Sequence, residues 1–191
     1  MYKLCKSEQS AKRQRQLEQQ LLTMMNTMHY DEITVSNFCE QAEIPRKAFY
    51  RYFSSKDGAL HALLDHTLLA QDTFAASGNT GSSYLAYQEL VSFYRFWYTQ
   101  KPLLDALQRS DICGILVTRT VEYALHNTVH LSRLPIHDYL ESIQYGTTFG
   151  VCGLMSIMLS WHHGGYQQTP EQMAEISLKL LSNPLVSSKP T

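Results

Sequence analysis

The stretch IPRKAFYRYFSSKD, residues 44–57, decides how this sequence is interpreted. Its 14 residues combine four aromatic side chains with four lysines and arginines. Pro45 fits the first position of a helix, where its missing N–H would have no intrahelical partner. Phe49, Tyr52 and Phe53 follow at the spacing of one buried face. The stretch therefore predicts a short helix that buries aromatic rings and displays cations.

Length and composition are those of an ordinary globular protein. The chain has 191 residues, of which 44% are hydrophobic and 17% charged, enough for one sizeable core or for a small module joined to a larger domain. No apolar run reaches the roughly 18 residues of a membrane span, and the first residues lack the apolar core of a secretory signal. The expected location is therefore the cytoplasm, away from any membrane.

Cysteine spacing and charge narrow the classes of protein further. The four cysteines lie far apart with no CxxC pair, which argues against a zinc module and a disulfide framework. Residues 1–56 contain nine lysines and arginines against six acidic residues, whereas residues 57–191 contain seven against eleven. A basic segment modestly favours a polyanionic partner, because phosphate neutralisation supplies most non-specific affinity for nucleic acid.

Helical periodicity dominates the whole sequence, and neither an alternating strand nor an internal repeat is found. The predicted fold class is therefore all-α. The polar stretch SGNTGSS, residues 77–83, predicts a flexible loop, and the tail at about 183–191 is expected to be disordered. Helices are predicted at about residues 10–28, 34–42, 45–53, 57–76, 84–100, 102–110, 113–132, 136–163 and 170–182.

The second and third predicted helices are joined by a very short turn, and the third displays cations, which is the arrangement of a helix-turn-helix unit. The segment ITVSNFCEQAEIPRKAFYRYFSSKDGAL, residues 33–60, resembles the DNA-binding segment of tetracycline-repressor-type (TetR/AcrR) transcription regulators. The resemblance rests on Thr-Val at the second helix, a short third helix ending Tyr-x-x-Phe, the following Lys-Asp and a leucine-rich fourth helix. It extends over residues 10 to about 66.

This resemblance implies a helix-turn-helix DNA-binding domain at residues 1–56, followed by a helical ligand-binding and dimerisation domain at 57–191. Residues 57–76 would form the helix that links them. The implied function is that of a one-component transcription regulator without a cofactor. As a homodimer it would bind a palindromic operator in double-stranded DNA, and as a repressor it would release that site when a small-molecule effector binds.

The residues predicted to contact DNA lie in and around the third helix. Arginine and lysine suit guanine acceptors, and a small apolar side chain suits a thymine methyl group. Lys56, beside the start of the fourth helix, would add its charge and helix N-terminal amides to one phosphate. The aromatic residues Phe38, Phe49 and Phe53 are assigned to the core. The predicted DNA contacts are Thr34, Arg46, Lys47, Ala48, Tyr50, Arg51, Tyr52 and Lys56.

Four positions depart from the family's pattern. Glu43 stands at the turn glycine, Pro45 at a frequent serine, Lys47 at a common glycine and Ala48 at a common threonine. Pro45 offers no N–H to a phosphate, Ala48 has no hydroxyl, and Glu43 is an anion. Two alternatives therefore stay open: a protein-partner or co-activator role on the same fold with a drifted DNA-binding head, and a merely solvated basic face.

The stretch SFYRFWYTQKP, residues 92–102, suggests a ligand site, because its aromatic side chains could wall a mainly apolar pocket facing the helix at 113–132. Polar groups from that helix would orient the ligand. Aromatic residues at helical spacing also suit an ordinary core. The predicted ligand-binding residues are Phe93, Tyr94, Trp97, Tyr123, His126 and Trp161.

The stretch YGTTFGVCGLMSIMLSW, residues 145–161, is apolar on more than one side. A surface helix of a monomer would not be, so the pattern favours pairing with a second copy. Gly146, Gly150 and Gly153 recur at i, i+4 and i+7, where small residues would let another helix approach closely. The final helix is a plausible partner in a four-helix bundle. A central helix buried within its own domain is the alternative.

Metal binding and catalysis are not predicted. Glu122, His126 and His130 recur at i, i+4 and i+8, as possible metal ligands or a pH-sensitive patch. The helix dipole and a surface ion pair account for the same residues, so no metal is assigned. The sequence contains no GxSxG, no phosphate-binding loop and no cysteine motif with a neighbouring base, and we expect no enzyme activity.

Overall fold

A computed structural model describes residues 2–5, 7–75, 82–126 and 143–182. Within these ranges the chain is helical and contains no β-strand, so the predicted all-α class is confirmed. Part of the predicted loop, the end of the predicted 113–132 helix, the start of the 136–163 helix and the predicted tail lie outside the described residues. The described helices are α1 (Glu8–Met25), α2 (Val35–Gln41), α3 (Arg46–Tyr52), α4 (Lys56–Ala75), α5 (Ser82–Thr99), α6 (Lys101–Arg109), α7 (Cys113–His126), α8 (Ile143–His163) and α9 (Pro170–Ser182).

The residues group into two compact units. The first comprises Met1–Leu68 and Pro102–Arg119, and the second comprises Leu69–Lys101 and Thr120–Thr191. The first unit is therefore built from two separate stretches of sequence. The functional division at residue 56 stays a prediction. None of the described helices is long and apolar enough to cross a membrane.

Side-chain caps fix the ends of the first helices. Ser7 caps α1 by accepting a hydrogen bond from the backbone N–H of Ser10 at 3.3 Å. Thr34 caps α2 in a reciprocal box: its hydroxyl accepts from Asn37 N–H at 3.1 Å, and Asn37 Oδ1 accepts from Thr34 N–H at 2.8 Å. Such caps stabilise a helix by about 1 kcal/mol. The Thr34 and Asn37 side chains therefore fix the start of α2.

Aromatic rings form the core of the helix-turn-helix region. Phe38 of α2, Phe49 of α3 and Phe53 after α3 are all buried. The Phe49 ring lies with its centroid 5.3 Å from the Phe38 ring and 5.3 Å from the Phe53 ring. Aromatic pairs in this range contribute about 0.5–1.5 kcal/mol beyond their area of burial. The assignment of these phenylalanines to the core is confirmed.

The stretch at 102–119 completes the first unit. Ser110, just after α6, accepts a hydrogen bond at its Oγ from the backbone N–H of Tyr30 at 3.0 Å. The Arg109 guanidinium donates to the carbonyl oxygens of Met25 and Asn26 at the end of α1. These bonds satisfy backbone groups that the end of α1 and the 3₁₀ turn Tyr30–Glu32 would otherwise leave without intrahelical partners. α6 therefore holds the connection between α1 and α2 in place.

In the second unit α5 packs against α9. The Tyr94 hydroxyl lies 2.5 Å from Ser177 Oγ, and both residues are buried. At the surface the Arg95 guanidinium donates to Glu171 Oε1 at 3.0 and 2.6 Å. The Trp161 ring of α8 meets the Tyr94 ring edge-on at 5.4 Å. These contacts join α5, α8 and α9 around one aromatic core.

Candidate nucleic-acid interface

Helix α3 exposes its cations along one face. Arg46 and Tyr50, and likewise Lys47 and Arg51, are four residues apart, and all of them are exposed. Side chains at this spacing lie one above the other on a helix. Within the described part of the chain none of these three cations forms an ion pair. The face therefore presents uncompensated positive charge beside an aromatic hydroxyl.

The other predicted contacts lie at the border of that face. Ala48 and Tyr52 are half-buried and form the row next to the buried Phe49. Thr34 is exposed at the start of α2, with its hydroxyl already accepting from Asn37. A hydroxyl keeps one donor hydrogen and a second lone pair after such a bond. These residues can meet a partner at the edge of the α3 face and not at its centre.

Lys56 is held by the protein itself. Its ammonium donates to the backbone carbonyl of Tyr30 at 2.8 Å and lies 4.1 Å from the centroid of the Tyr30 ring. The Tyr30 hydroxyl donates to Asp57 at 2.8 Å, and burial together with this carboxylate raises the pKa of Tyr30. An ammonium has three donor hydrogens, so the Tyr30 bond leaves Lys56 able to donate further while fixing where it points.

The turn between α2 and α3 has the geometry that glycine favours. Glu43 has a φ of 51°, in the left-handed region where a side chain is strained. Its N–H donates to Glu40 O at 3.1 Å, and the Ile44 N–H donates to Cys39 O at 3.0 Å. This is the Schellman motif that ends many helices. The glycine that the TetR/AcrR pattern has at this turn is thus explained by the left-handed backbone. Glu43 adopts the same backbone conformation with steric strain.

Replacing Glu43 with glycine is expected to stabilise the protein. Glu43→Gly should raise the free energy of unfolding by about 0.5–1 kcal/mol, because relief of left-handed strain outweighs the added entropy of the unfolded chain. Glu43→Ala removes the same charge but keeps the strain, so it should show no gain. Urea denaturation of the variants measures the difference. If the alanine variant were as stable as the glycine variant, strain at this turn would be excluded.

The structure also provides a matched position for this experiment. Asp111, between α6 and α7, has a φ of 53°, and it and the next residue donate to Gln108 and Leu107 at 3.0 Å in the same motif. Asp111→Gly should therefore also stabilise the protein, by less, because aspartate tolerates the left-handed region better than glutamate does.

Pro45 differs from its predicted role by one residue. The structure places it at the N-cap of α3, with φ −69° and ψ 147°, and α3 begins at Arg46. The prediction that Pro45 occupies the first helical position is therefore wrong. The proline ring fixes a φ that suits either position, so the sequence could not distinguish them, but the extended ψ places Pro45 just outside the helix. No side chain caps α3. The Ala48 N–H donates to the Pro45 carbonyl at 2.8 Å, so within the first turn of α3 the N–H groups of Arg46 and Lys47 face solvent without a capping side chain.

The predicted ligand residues fall into two groups. Phe93, Tyr94 and Trp97 of α5 lie close together, with the Phe93 ring centroid 5.1 Å from Tyr94 and 6.4 Å from Trp97. Trp161 joins them through Tyr94, and its indole N–H donates to the carbonyl of Gln168 at 3.0 Å. Trp97 is fully buried, and its indole N–H has no acceptor among the described residues. A buried N–H without an acceptor is unusual in a folded protein and needs an explanation.

Tyr123 and His126 are engaged elsewhere. The Tyr123 hydroxyl donates to Asp72 Oδ2 at 2.6 Å. His126 is exposed at the end of α7, with its Nδ1 2.7 Å from the carbonyl oxygen of Glu122 in its own helix. His130, the third member of the predicted histidine series, lies outside the described residues. Within the described residues no group of three or more His, Cys, Asp and Glu is placed to hold a metal.

Large apolar side chains are exposed on α8 and α9. Tyr145 and Phe149, one turn apart on α8, are 72% and 73% exposed, and Ile176 and Leu180 of α9 are each 39% exposed. We call these residues, together with Gly153, the α8/α9 face. Exposed apolar side chains that form a contiguous patch can mark an interaction surface, whereas single ones are ordinary.

Of the glycines predicted to line α8, one is open. Gly153 is exposed, and a Cβ built there would meet no atom within 4 Å. Gly146 and Gly150 are buried, so Gly153 is the exposed member of the three, and whether the stripe meets a second copy stays a prediction. Gly153 follows Phe149 by one turn, which puts the small residue in line with the exposed rings.

Two polar residues that support α3 were missed by sequence reasoning. Gln14 of α1 is buried, and its amide donates to the carbonyl of Lys3 at 3.3 Å. The Lys3 ammonium in turn donates to the carbonyl of Tyr50 at 3.2 Å. The sequence did contain a signal for Gln14, because it lies one turn before Leu17 on the face of α1 that buries Leu21 and Met25. A polar side chain on a buried face needs a hydrogen-bond partner.

Comparison with known proteins supports the fold. The sequence matches no family model, and no curated protein matches it significantly. The structure is similar to a protein assigned to the TetR family of transcriptional regulators from Syntrophomonas wolfei, with a TM-score of 0.69 and 13% sequence identity over 94% of this chain and 100% of that chain.

Two further solved structures are similar. The fatty acid degradation regulator FadR from Bacillus halodurans gives a TM-score of 0.53 and 11% identity over 91% of this chain and 96% of that chain. A protein assigned as a fatty acid metabolism regulator in Clostridium perfringens gives a TM-score of 0.52 and 14% identity, over 87% of this chain and 96% of that chain. The chain therefore has the all-helical fold of TetR-type transcriptional regulators.

Proposed function

We propose that this protein is a one-component transcription regulator that binds double-stranded DNA through the exposed face of α3. The observation that carries the proposal is the row of Arg46, Lys47 and Arg51 on the second helix of a helix-turn-helix unit, with no ion pair to any of them among the described residues. A short helix bearing arginine and lysine fits the major groove, where guanine presents acceptors.

The edges of the same unit suit the DNA backbone. Lys56 lies on the first turn of α4 with donor hydrogens beyond its bond to Tyr30. In this arrangement Arg46 and Lys47 read bases, whereas Lys56 fixes the register on a phosphate.

We propose that the second unit binds the effector. The aromatic group of Phe93, Tyr94, Trp97 and Trp161 offers an apolar wall, and the Trp97 N–H is the group that would recognise an acceptor oxygen. The effector is thus a mainly apolar small molecule with a hydrogen-bond acceptor. It would act as an inducer, releasing a repressor from its site, if it binds the DNA-incompetent state more tightly than the competent one.

We also propose a homodimer paired through the α8/α9 face. That face exposes Tyr145, Phe149, Ile176 and Leu180, and burial against a second copy would remove this apolar surface from water. A two-fold dimer presents two α3 helices, one to each half of a palindromic site.

The test is selection of the purified protein against a random duplex library at about 0.15 M salt, after removal of any carried ligand, followed by Lys47→Glu. Loss of a base-contacting cation costs about 1–3 kcal/mol, so charge reversal at Lys47 should weaken binding to the recovered palindromic site by more than about tenfold. Lys101→Glu makes the same change of net charge at an exposed lysine of α6, outside the proposed interface, and should leave the affinity unchanged.

A different result would favour the other function that this fold could serve. Glu43 is exposed beside α3, and Pro45 lacks an N–H, so a drifted head that binds a protein partner is the second candidate. Weak, sequence-blind binding that disappears with modest added salt, and that Lys47→Glu and Lys101→Glu change equally, would overturn the DNA-reading proposal in its favour.

A further inference from the structure

Residues 2–5, ahead of α1, are attached to the end of α3. The Lys3 N–H donates to the carbonyl of Tyr52 at 2.9 Å, and Tyr2 forms an isolated antiparallel bridge with Phe53. The Lys3 ammonium donates to the carbonyl of Tyr50 at 3.2 Å. The last carbonyls of a helix have no intrahelical partner, and a cation there also complements the negative end of the dipole. Residues 2–5 therefore act as the C-terminal cap that α3 does not provide for itself.

The same segment is attached to α1 by a buried amide. Gln14 Nε2 donates to the carbonyl of Lys3 at 3.3 Å, and Gln14 Oε1 accepts from the Cys5 thiol at 3.0 Å. Gln14 is 2% exposed. Both ends of its side-chain amide are thus used to bind the segment, which explains a glutamine on the apolar face of α1.

A third attachment lies on α4. The Tyr2 ring meets the His66 ring edge-on at a centroid distance of 5.6 Å. Burial and a hydrogen bond to Asp65 raise the pKa of Tyr2 to about 12, so its hydroxyl stays protonated and donates. Asp65 also accepts from the Arg119 guanidinium at 2.9 Å. Residues 2–5 are therefore fixed to α1 and α4 at one side and to α3 at the other.

We propose that residues 2–5 form a clamp that positions α3 for DNA reading, with Lys3 as the residue that grips the helix end and Gln14 as the residue that anchors the clamp. α3 is only Arg46–Tyr52 long, too short to be stable by its own hydrogen bonds. Its orientation depends on the buried Phe49 and on what holds its ends, and its N-terminus has no side-chain cap. This inference rests on the proposed DNA-binding function, because the clamp matters through the helix that it holds.

The first variant is Gln14→Leu, which removes the anchor without changing charge and keeps a good helix former in α1. Loss of the clamp should make the amides of residues 49–53 exchange with deuterium about tenfold faster while the rest of the first unit keeps its protection. The apparent affinity for the selected site falls in proportion to the fraction of molecules in which α3 is held in the binding orientation, so it should be lower than that of the unmodified protein. Binding to non-specific DNA, which reports charge, should stay the same.

The matched control is Gln19→Leu, the same change at an exposed position of α1. It should alter neither exchange nor affinity. A second variant, Lys3→Pro, removes the N–H that donates to Tyr52 together with the ammonium that donates to Tyr50. It should reproduce the local exchange of Gln14→Leu.

The outcomes separate the clamp from the DNA-binding function. Faster exchange confined to residues 49–53 in Gln14→Leu and Lys3→Pro supports the clamp even if no palindromic site is recovered, in which case the proposed function fails alone. If both variants matched Gln19→Leu in exchange and in affinity, the clamp would be overturned. The proposed DNA binding would still be supported in that case if Lys47→Glu lost affinity. Exchange that rises evenly over α1 to α4 would also overturn the clamp, because the segment would then serve general stability.

Discussion

Gly153→Arg is expected to prevent the proposed pairing through the α8/α9 face, which leaves a monomer, and to weaken binding to a palindromic site by about 100-fold or more. A Cβ at Gly153 meets no atom of its own chain within 4 Å, so the protomer has room for the new side chain, and arginine favours a helix more than glycine does. At a paired α8/α9 face the same side chain would separate the helices and bury a charge. The loss of affinity follows because two linked reading helices gain about 10²–10⁴-fold over one.

Sedimentation velocity at micromolar concentration measures the change in mass. Gly114→Arg is the matched control, since Gly114 on α7 is also exposed with no atom within 4 Å of an added Cβ. The control should remain dimeric. A Gly153→Arg protein that sediments as a dimer and keeps its affinity would show that pairing uses another surface.

Phe49→Ala should unfold much of the helix-turn-helix region. Phe49 is 1% exposed and touches the rings of Phe38 and Phe53. Removing a buried phenylalanine costs about 3–5 kcal/mol, a large part of the about 5–15 kcal/mol that a typical domain has. Specific DNA binding should disappear with it, because α3 then has no core to lie on. Urea denaturation followed by far-UV circular dichroism measures the loss.

The neighbouring position supplies the comparison. Tyr50→Ala removes a ring that is 42% exposed, so it should cost less than about 1 kcal/mol of stability, even though Tyr50 is a candidate DNA contact. Phe49→Leu, which refills most of the space, should fall between the two. Equal stability of Phe49→Ala and Tyr50→Ala would contradict the burial on which the core assignment depends.

Helix positions and the aromatic core could be predicted because both depend on local periodicity. Phe38, Phe49 and Phe53 follow the spacing of buried helix faces, and α9 begins and ends where its pattern predicted. The exposed cations of α3 follow from the same spacing. Which bases, phosphates or ligands these side chains meet stays a prediction.

Contacts between distant parts of the sequence could not be predicted in the same way. The bonds from Tyr30 to Ser110 and from Arg109 to the end of α1 join residues some 80 positions apart, and no periodicity encodes them. The hydrogen bond from Lys3 to the Tyr50 carbonyl could not be predicted for the same reason. Glu43 was visible as a departure from a glycine pattern, but its left-handed backbone depends on how α2 and α3 are oriented. Local rules place helices, whereas tertiary contacts decide how their ends are held.

The divided first unit has a consequence for synthesis of the chain. Its residues up to Leu68 leave the ribosome first, but the partners that Ser110 and Arg109 provide for the α1–α2 connection follow only after the whole of 69–101. Until then α3 belongs to a unit that lacks these later contacts, and closing this long loop costs entropy that a contiguous module would avoid. The part of the protein that is made first is therefore completed late.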